Sequence, residues 1–347
     1  MANPIIHSRP ENRPLKGAPA CRTGRDGAWP LSISLKETTP PLAGRSLIFI
    51  VGPTAVGKTE VAVRLSEQIP IEIINCDSMQ VYKQMQIISC KPAGDLRKKI
   101  PHHLLDIVSV EEEYSVADYE KGARAAIEKI LSGPRTPCIV GGSGLYMSIL
   151  LDGLFAESGQ DQKLREVLKN EAEAFGNEYL YERLQKVDKE AAAKIHPHDL
   201  RRIIRALEVF ELTKQPISQL QKQRSGLWGK FPVKIFCLTR PREELYKRIN
   251  ARVEEVFRQG VADEAKELLG YKLSKTAAAV IGINEIKGYL DGKYNIKEAM
   301  LLMQQASRRY AKRQLTWFRK DKRLQWLEIK PAEDSQIVAQ KILDNLS

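Results

Sequence analysis

The sequence predicts an α/β fold, a parallel-sheet core carrying a phosphate loop and interrupted by an inserted all-helical domain. Three observations predict it. From Ser46 to Gly144, short apolar runs rich in β-branched residues alternate with amphipathic helical stretches, giving β-α-β-α-β order. A full GxxxxGK[ST] motif sits between the first of those runs and the first helix. The strand pattern then vanishes between Asp161 and Gln223 and returns over 231–240, as it would if a helical unit left and rejoined one core.

Each element has its own reason. SLIFIVG, starting at Ser46, reads as a buried parallel strand because its apolar run ends at a glycine. TEVAVRLSEQI follows as a helix, with Val61, Leu65 and Ile69 recurring every four residues among charged ones. IEIINCD (71–77) is the second strand. YSVADYEKGARAAIEKILSG is a helix closed by Gly133 and Pro134, and TPCIVGGSG (136–144) is a third strand running into a glycine turn. Such sheets bind ligands at the carboxyl ends of their strands. FPVKIFCLTR (231–240) rejoins the sheet, and long helices finish the chain: PREELYKRINARVEEVFRQG ending at Gly260, ADEAKELLG, and a very basic one from Lys297 to Lys320. The domain reading is therefore a disordered extension (1–44), two parts of one core (45–158 and 226–330), a helical insertion (159–225) and a C-terminal tail (331–347).

Of the 347 residues, 43% are hydrophobic and 28% charged, enough for a sizeable core. Lysine and arginine outnumber aspartate and glutamate by 55 to 43, an excess of +12 that attracts polyanions in a salt-dependent way. Charge alone does not separate a nucleic-acid partner from a solvated basic surface. The five cysteines are widely spaced, with no CxxC pair and no cysteine–histidine cluster at zinc-finger spacing, so they are expected to be reduced and mostly buried. No apolar run approaches the roughly 20 residues of a membrane span, and no secretory apolar core opens the chain, so a cytoplasmic protein with no membrane partner is expected. Residues 1–44 are rich in proline, glycine and arginine, and prolines at 4, 10, 14, 19 and 30 would break a presequence helix.

In GPTAVGKT (52–59), Gly52 and Gly57 let the backbone curl so that amides point at one phosphate. Lys58 adds a mobile charge and Thr59 can hold Mg²⁺. The motif says phosphate or diphosphate; kinase, ATPase and diphosphate-leaving transferase stay open. Asp77, just past the second strand, looks across this loop and is the candidate base, set against an ordinary turn aspartate. GGSG brings amides and the Ser143 hydroxyl to the same rim. Arg248 and Arg252, four apart on one helix, suit a diphosphate clamp or a salt-bridged surface. HPHDLRRIIRALEV puts Arg201, Arg202 and Arg205 on one or two turns, and SRRYAKRQLTWFRKDKR mixes basic residues with Tyr310, Trp317 and Phe318, which suits an unpaired RNA loop as well as it suits a packed aromatic face. His196 and His198 read as structural.

These stretches together resemble the tRNA dimethylallyltransferases. GPTAVGKT, DSMQVY, KP at 91–92, PHHLLDI, YSVADY, GGSGLY, HPHDLRRIIRALEV, IGINE and YAKRQLTWFRK follow the family's order and spacing from Ser46 to about Leu327. The resemblance implies a nucleotide-kinase-like P-loop core. In it Gly52, Pro53, Thr54, Ala55, Val56, Gly57, Lys58 and Thr59 hold dimethylallyl diphosphate with Mg²⁺, clamped by Lys58, Arg248 and Arg252. It implies Asp77 as general base beside Ser143, with Ser78, Met79 and Gln80 lining an adenine pocket. It further implies that the tRNA anticodon stem-loop is met by Arg165, Arg201, Arg202, Ile203, Ile204, Arg205, Gly282, Lys312, Arg313, Gln314, Trp317 and Arg319. The implied reaction is dimethylallyl transfer to N6 of adenine 37, in tRNAs reading codons that begin with U, by a monomer.

Four features depart from the family pattern. Ser143 replaces threonine and keeps the hydroxyl. Ile88, Ser89 and Cys90 replace Gly-Thr-Ala, so glycine-only conformations are not expected there. Ile283 and Asn284 replace an aromatic and a basic residue, and the N-terminal extension is atypical. The rival readings are an adenylate isopentenyltransferase using free AMP, ADP or ATP, which should need neither the basic insertion nor KRQLTWFRK; a small-molecule kinase; and a non-enzymatic RNA-binding protein on a decayed phosphate loop.

Overall fold

A computed structural model describes residues 46–155, 159 and 161–346, so the expected disorder of 1–44 lies outside the described residues. In chain order the elements are β1 (Leu47–Val51), α1 (Lys58–Ser66), β2 (Ile71–Cys76), α2 (Gly94–Lys99), β3 (His102–His103), α3 (Val116–Leu131), β4 (Thr136–Gly141) and α4 (Gly144–Asp152). Five helices follow: α5 (Gln162–Phe175), α6 (Asn177–Val187), α7 (Lys189–Lys194), α8 (Leu200–Thr213) and α9 (Ile217–Lys222). The chain closes with β5 (Val233–Thr239), α10 (Arg242–Arg258), α11 (Val261–Leu268), α12 (Ile283–Leu290), α13 (Ile296–Phe318), β6 (Gln325–Glu328) and α14 (Ser335–Asp344).

The six strands form one parallel sheet in the order β3-β2-β4-β1-β5-β6. From β1 the chain moves to one side through β2, β3 and β4, then to the other through β5 and β6. Such a reversal of direction opens a crevice at the carboxyl ends of the central strands, where α/β sheets place their ligands. Residues alternate between faces with period two: Leu47, Phe49 and Val51 join one buried cluster, Ile48 and Ile50 the other. Helices therefore cover both faces, which is why β1 reads as an unbroken apolar run. The start of α3 is sharp because Ser115 and Asp118 satisfy each other's backbone N–H groups in a capping box.

Helices α5 to α9 share a separate cluster built on Leu168, Leu180, Leu184, Ile203 and Leu207. Inside it the fully buried Glu208 takes a two-pronged bond from Arg165, 2.8 Å at both oxygens, and another from Arg205 at 2.6 Å. Burial pushes the Glu208 carboxyl up, and the bonds from Arg165 and Arg205 more than offset it, so the group sits below its ordinary range.

Two features at the end of the chain differ from expectation. Residues 331–347 are not simply a tail: Val338 and Ile342, one turn apart, bury α14 in the same cluster as Val61 and Leu65 of α1. Gln325–Glu328 adds a sixth strand, beside β5. Its four residues, largely exposed, are too few to carry a strand pattern, and pairing with an existing edge supplied the order instead. Among the described residues, no helix is long and apolar enough to cross a membrane. Cys76, Cys138 and Cys237 are buried and free, as expected, and Cys90 is free and half-buried.

Candidate active site

Four strand ends converge on one rim. After β1 the phosphate loop wraps into α1, with Gly57 at φ 113°, a conformation a side chain would strain, and Ala55 at φ 61°. Lys58 folds back so that its ammonium donates to the carbonyls of Gly52 (3.0 Å) and Pro53 (2.8 Å). After β5, Arg240 donates to the Val56 carbonyl at 2.9 Å and pairs with Glu244. From α10, Arg248 donates to the Ala55 carbonyl at 2.9 Å and Arg252 to the Thr54 hydroxyl at 3.2 Å. The arginine pair thus sits on the phosphate loop. Arg240 went unnoticed, although an arginine closing a strand at this rim was the available signal.

Asp77 follows β2 and Ser143 follows β4. The Ser143 backbone N–H donates to the Cys76 carbonyl at 3.0 Å, and its hydroxyl accepts the Ser78 backbone N–H at 3.2 Å. One Asp77 oxygen accepts the Met79 N–H at 2.9 Å, so the residue is a turn aspartate as well as a base candidate. Its other oxygen has no hydrogen-bond partner among the described residues. Tyr310 of α13, one of the aromatic residues interleaved with the basic ones, lines the cavity beside these turns. Gln80 does not point its amide at a ligand: it donates to the carbonyls of Ser89 and Cys90.

Those bonds hold a loop whose conformation departs from expectation. Cys90 adopts φ 51°, the left-handed region that glycine favours, although it is not glycine. Local hydrogen bonding offsets the strain, since the Cys90 N–H donates to Ile87 at 2.9 Å and the Lys91 N–H to Gln86 at 3.2 Å. Cys90 and Arg252 line the same cavity, which brings this loop beside the clamp.

Thr54, Lys58, Thr59, Asp77, Cys90, Arg248 and Arg252 line one cavity of about 1060 Å³. Burial pulls the Lys58 ammonium down to about 8; the neighbouring Arg252 charge adds to the fall and Asp77 opposes it. A basic shell around donating backbone amides, facing a carboxylate, is built to take a polyanionic leaving group and receive a proton. A second hollow of about 300 Å³ adjoins it, sharing Ser78, Tyr310, Arg313 and Gln314 and adding Ser143, Leu145 and Trp317.

Comparison with known proteins agrees with this geometry. The profile described as IPP transferase matches residues 80–321, more than half of the chain. The chain belongs to the IPP transferase family. A relative from Natranaerobius thermophilus named tRNA dimethylallyltransferase is 44% identical over 319 residues, 90% of this chain and 93% of its own. One of the same name from Geobacter sulfurreducens is 42% identical over 83% of this chain and 94% of its own. Among solved structures, the full-length tRNA isopentenylpyrophosphate transferase from Bacillus halodurans superposes with a TM-score of 0.64 at 36% identity, covering 87% of this chain and 97% of that one. A eukaryotic dimethylallyltransferase acting on tRNA gives 0.74 at 28% identity, over 87% and 80%.

Within this IPP transferase, the residues expected to meet RNA divide in two. Arg201, Arg202, Lys312, Arg313 and Arg319 are exposed. Trp317 is half-exposed and donates its ring N–H to Ser148 at 3.3 Å. Ile203 and Ile204 are buried in the insertion's core, and the partly exposed Arg165 and Arg205 pair with Glu208, so these four contribute to the packing of α8. Gly282 faces Ile88 and Met303 in an apolar corner. Gln314 is buried, bonded to Thr54 and Gly142. The mixture over 308–323 resolves likewise: Phe318 is core, while its basic neighbours Lys312, Arg313 and Arg319 face solvent.

Proposed function

We propose that this chain transfers a dimethylallyl group from its diphosphate to the exocyclic nitrogen of adenine 37 in the tRNA anticodon loop, releasing diphosphate. The observation that carries this reading is the single cavity in which Lys58, Arg248 and Arg252 surround the phosphate loop while Asp77 faces them from the next strand end but one. The relatives' names supply the donor and acceptor. The exposed basic face of α13, interleaved with Tyr310 and Trp317 at the mouth of the second hollow, supports a single-stranded RNA loop over free adenylate.

The chemistry follows from those groups. Adenine N6 is a poor nucleophile because its lone pair is delocalised into the ring. Asp77 accepts the N6 proton as the N6–C1 bond forms and the C1–O bond breaks, its electron pair leaving on the diphosphate. Lys58, Arg248, Arg252 and the loop amides stabilise the charge that gathers there. Ser143 holds the turn that carries Ser78, next to the carboxylate. The target base leaves its stack to reach this depth. The Thr59 hydroxyl, in the cavity beside the phosphate loop, would hold Mg²⁺. No group of three or more His, Cys, Asp or Glu offers a protein cage among the described residues, and Mg²⁺ bound mainly through substrate phosphates needs none. When bound, the ion neutralises charge on the departing diphosphate.

The test is incubation of the protein with Mg²⁺, labelled dimethylallyl diphosphate and, separately, a stem-loop carrying A37 in an A36-A37-A38 run or free AMP. Label is expected on the stem-loop and lost when A37 is replaced. Label on AMP alone would move the chemistry to the adenylate rival.

A further inference from the structure

Besides the basic groups, the cavity is lined by apolar side chains, among them Val253, Val256, Val280, Ile281, Ile88 and Met303. Helix α10 supplies both kinds: Arg252 reaches Thr54, and one turn further on Val256 is buried in the wall. Four residues of helix advance about 6 Å, close to the length of one isoprene unit. Ile88 and Met303 line the same cavity, and Gly282 packs against both. A Cβ built on Gly282 would lie 3.0 Å from Ile88 Cδ1, 3.1 Å from Ile88 Cγ1 and 3.1 Å from Met303 Cε, so the three residues are already in close contact and leave no gap behind them. Gly282 has φ 116°, which a side chain would strain in any case.

This wall is also stiff. The Glu264 carboxylate, on α11, accepts the backbone N–H groups of Gln86 (2.6 Å), Ile87 (2.9 and 3.0 Å) and Ile88 (2.6 Å). Charge-assisted bonds of this kind are stronger than neutral ones, and three in succession fix where the Ile88 side chain stands. Close-packed interiors do not absorb an extra bulky group without strain.

We infer that Ile88, set by Glu264 and backed by Met303 and Gly282, is the stop that restricts the donor to a single five-carbon unit. The inference rests on the proposed prenyl transfer and adds its chain-length rule. Shortening Ile88 removes the methyl groups that a second unit would strike; removing Met303's thioether opens the same corner from the other side.

The experiment compares kcat/KM for dimethylallyl and geranyl diphosphate on the A37 stem-loop, using the full chain and the variants Ile88→Val, Ile88→Ala and Met303→Ala, with folding checked by circular dichroism. The unaltered protein is expected to prefer the shorter donor by about 100-fold or more, within the range that hydrophobic pockets achieve. Ile88→Ala should narrow that ratio by about 10-fold or more, Ile88→Val by less, and Met303→Ala in the same direction as Ile88→Ala. Equal use of both donors by the unaltered protein would overturn the gate, and so would an unchanged ratio in folded Ile88→Ala and Met303→Ala. Transfer from neither donor would instead bring down the prenyl-transfer reading, and the gate with it.

Discussion

The side-chain carbonyl of Gln314, on the basic helix α13, accepts the backbone N–H of Thr54 in the phosphate loop at 2.9 Å, across 260 positions of sequence. The amide of the same side chain donates to the Gly142 carbonyl at 2.9 Å. One buried residue therefore joins the helix whose outer face carries Lys312, Arg313 and Arg319 to the loops that end β1 and β4.

Replacing Gln314 with leucine removes both bonds and leaves a buried N–H and a buried carbonyl without partners, which costs about 1–3 kcal/mol for each. The expected result is a lower Tm together with weaker binding of inorganic pyrophosphate, measured by calorimetry. Gln314→Glu keeps an acceptor for Thr54 but sets a carboxylate against the Gly142 carbonyl, and should fall between. Unchanged pyrophosphate affinity in Gln314→Leu would show that the phosphate loop holds its shape without α13.

Asp77→Asn preserves an oxygen for the Met79 N–H and so keeps the turn. It removes only the capacity to take a proton. Single-turnover transfer to the stem-loop should slow by about 100-fold to 10,000-fold, the usual worth of a general base, while stem-loop affinity in a filter-binding assay changes little. Unaltered turnover would remove Asp77 from the chemistry.

Lys58 has its pKa lowered to about 8. In the free protein its charge is present below that value and lost as pH rises through it, so pyrophosphate affinity should be level near neutrality and decline above about pH 8. Lys58→Arg should carry the level region to higher pH, since a guanidinium stays protonated. The stability effect has the opposite sign. Between the folded value and the ordinary lysine value the unfolded chain binds more protons, so stability gained from this residue increases with pH over that window. Titrations and thermal melts across pH 7–10 check both.

Glu208 separates structural arginines from available ones. Glu208→Ala leaves Arg165 and Arg205 facing an emptied interior, and breaking a buried pair in this way costs about 3–5 kcal/mol. A lower Tm is expected. Because the Glu208 pKa is lowered in the folded protein, its stabilising contribution is present at neutral pH and fades as pH falls through that value. Arg201→Ala with Arg202→Ala should do the reverse: an unchanged melt, weaker stem-loop binding, and a shallower dependence of affinity on salt.

The α/β core was legible in the residues because its causes are local. The buried strands are short β-branched runs, the covering helices repeat with a period near 3.6, and GPTAVGKT carries its own glycines, lysine and threonine between a strand and a helix. Asp77, Arg248 and Arg252 were legible for a related reason. A strand end points to the rim of its sheet, and residues four apart on a helix share a face.

Other assignments depended on partners that spacing does not reveal. Arg165, Arg205 and Gln314 are as polar as their neighbours in sequence, yet the fold turns the first two onto Glu208 and buries the third between Thr54 and Gly142. Ile203 and Ile204 stand among arginines and are core. The order of β6 comes from β5, and that of α14 from α1, neither from its own propensity. The amino-acid sequence by itself determined which segments form the central strands and their covering helices and where phosphate chemistry can occur, since those follow from periodicity and local backbone freedom. Only the tertiary structure decided which charged and amide side chains remain available to a ligand, because that depends on what the folded chain brings within hydrogen-bonding distance of each.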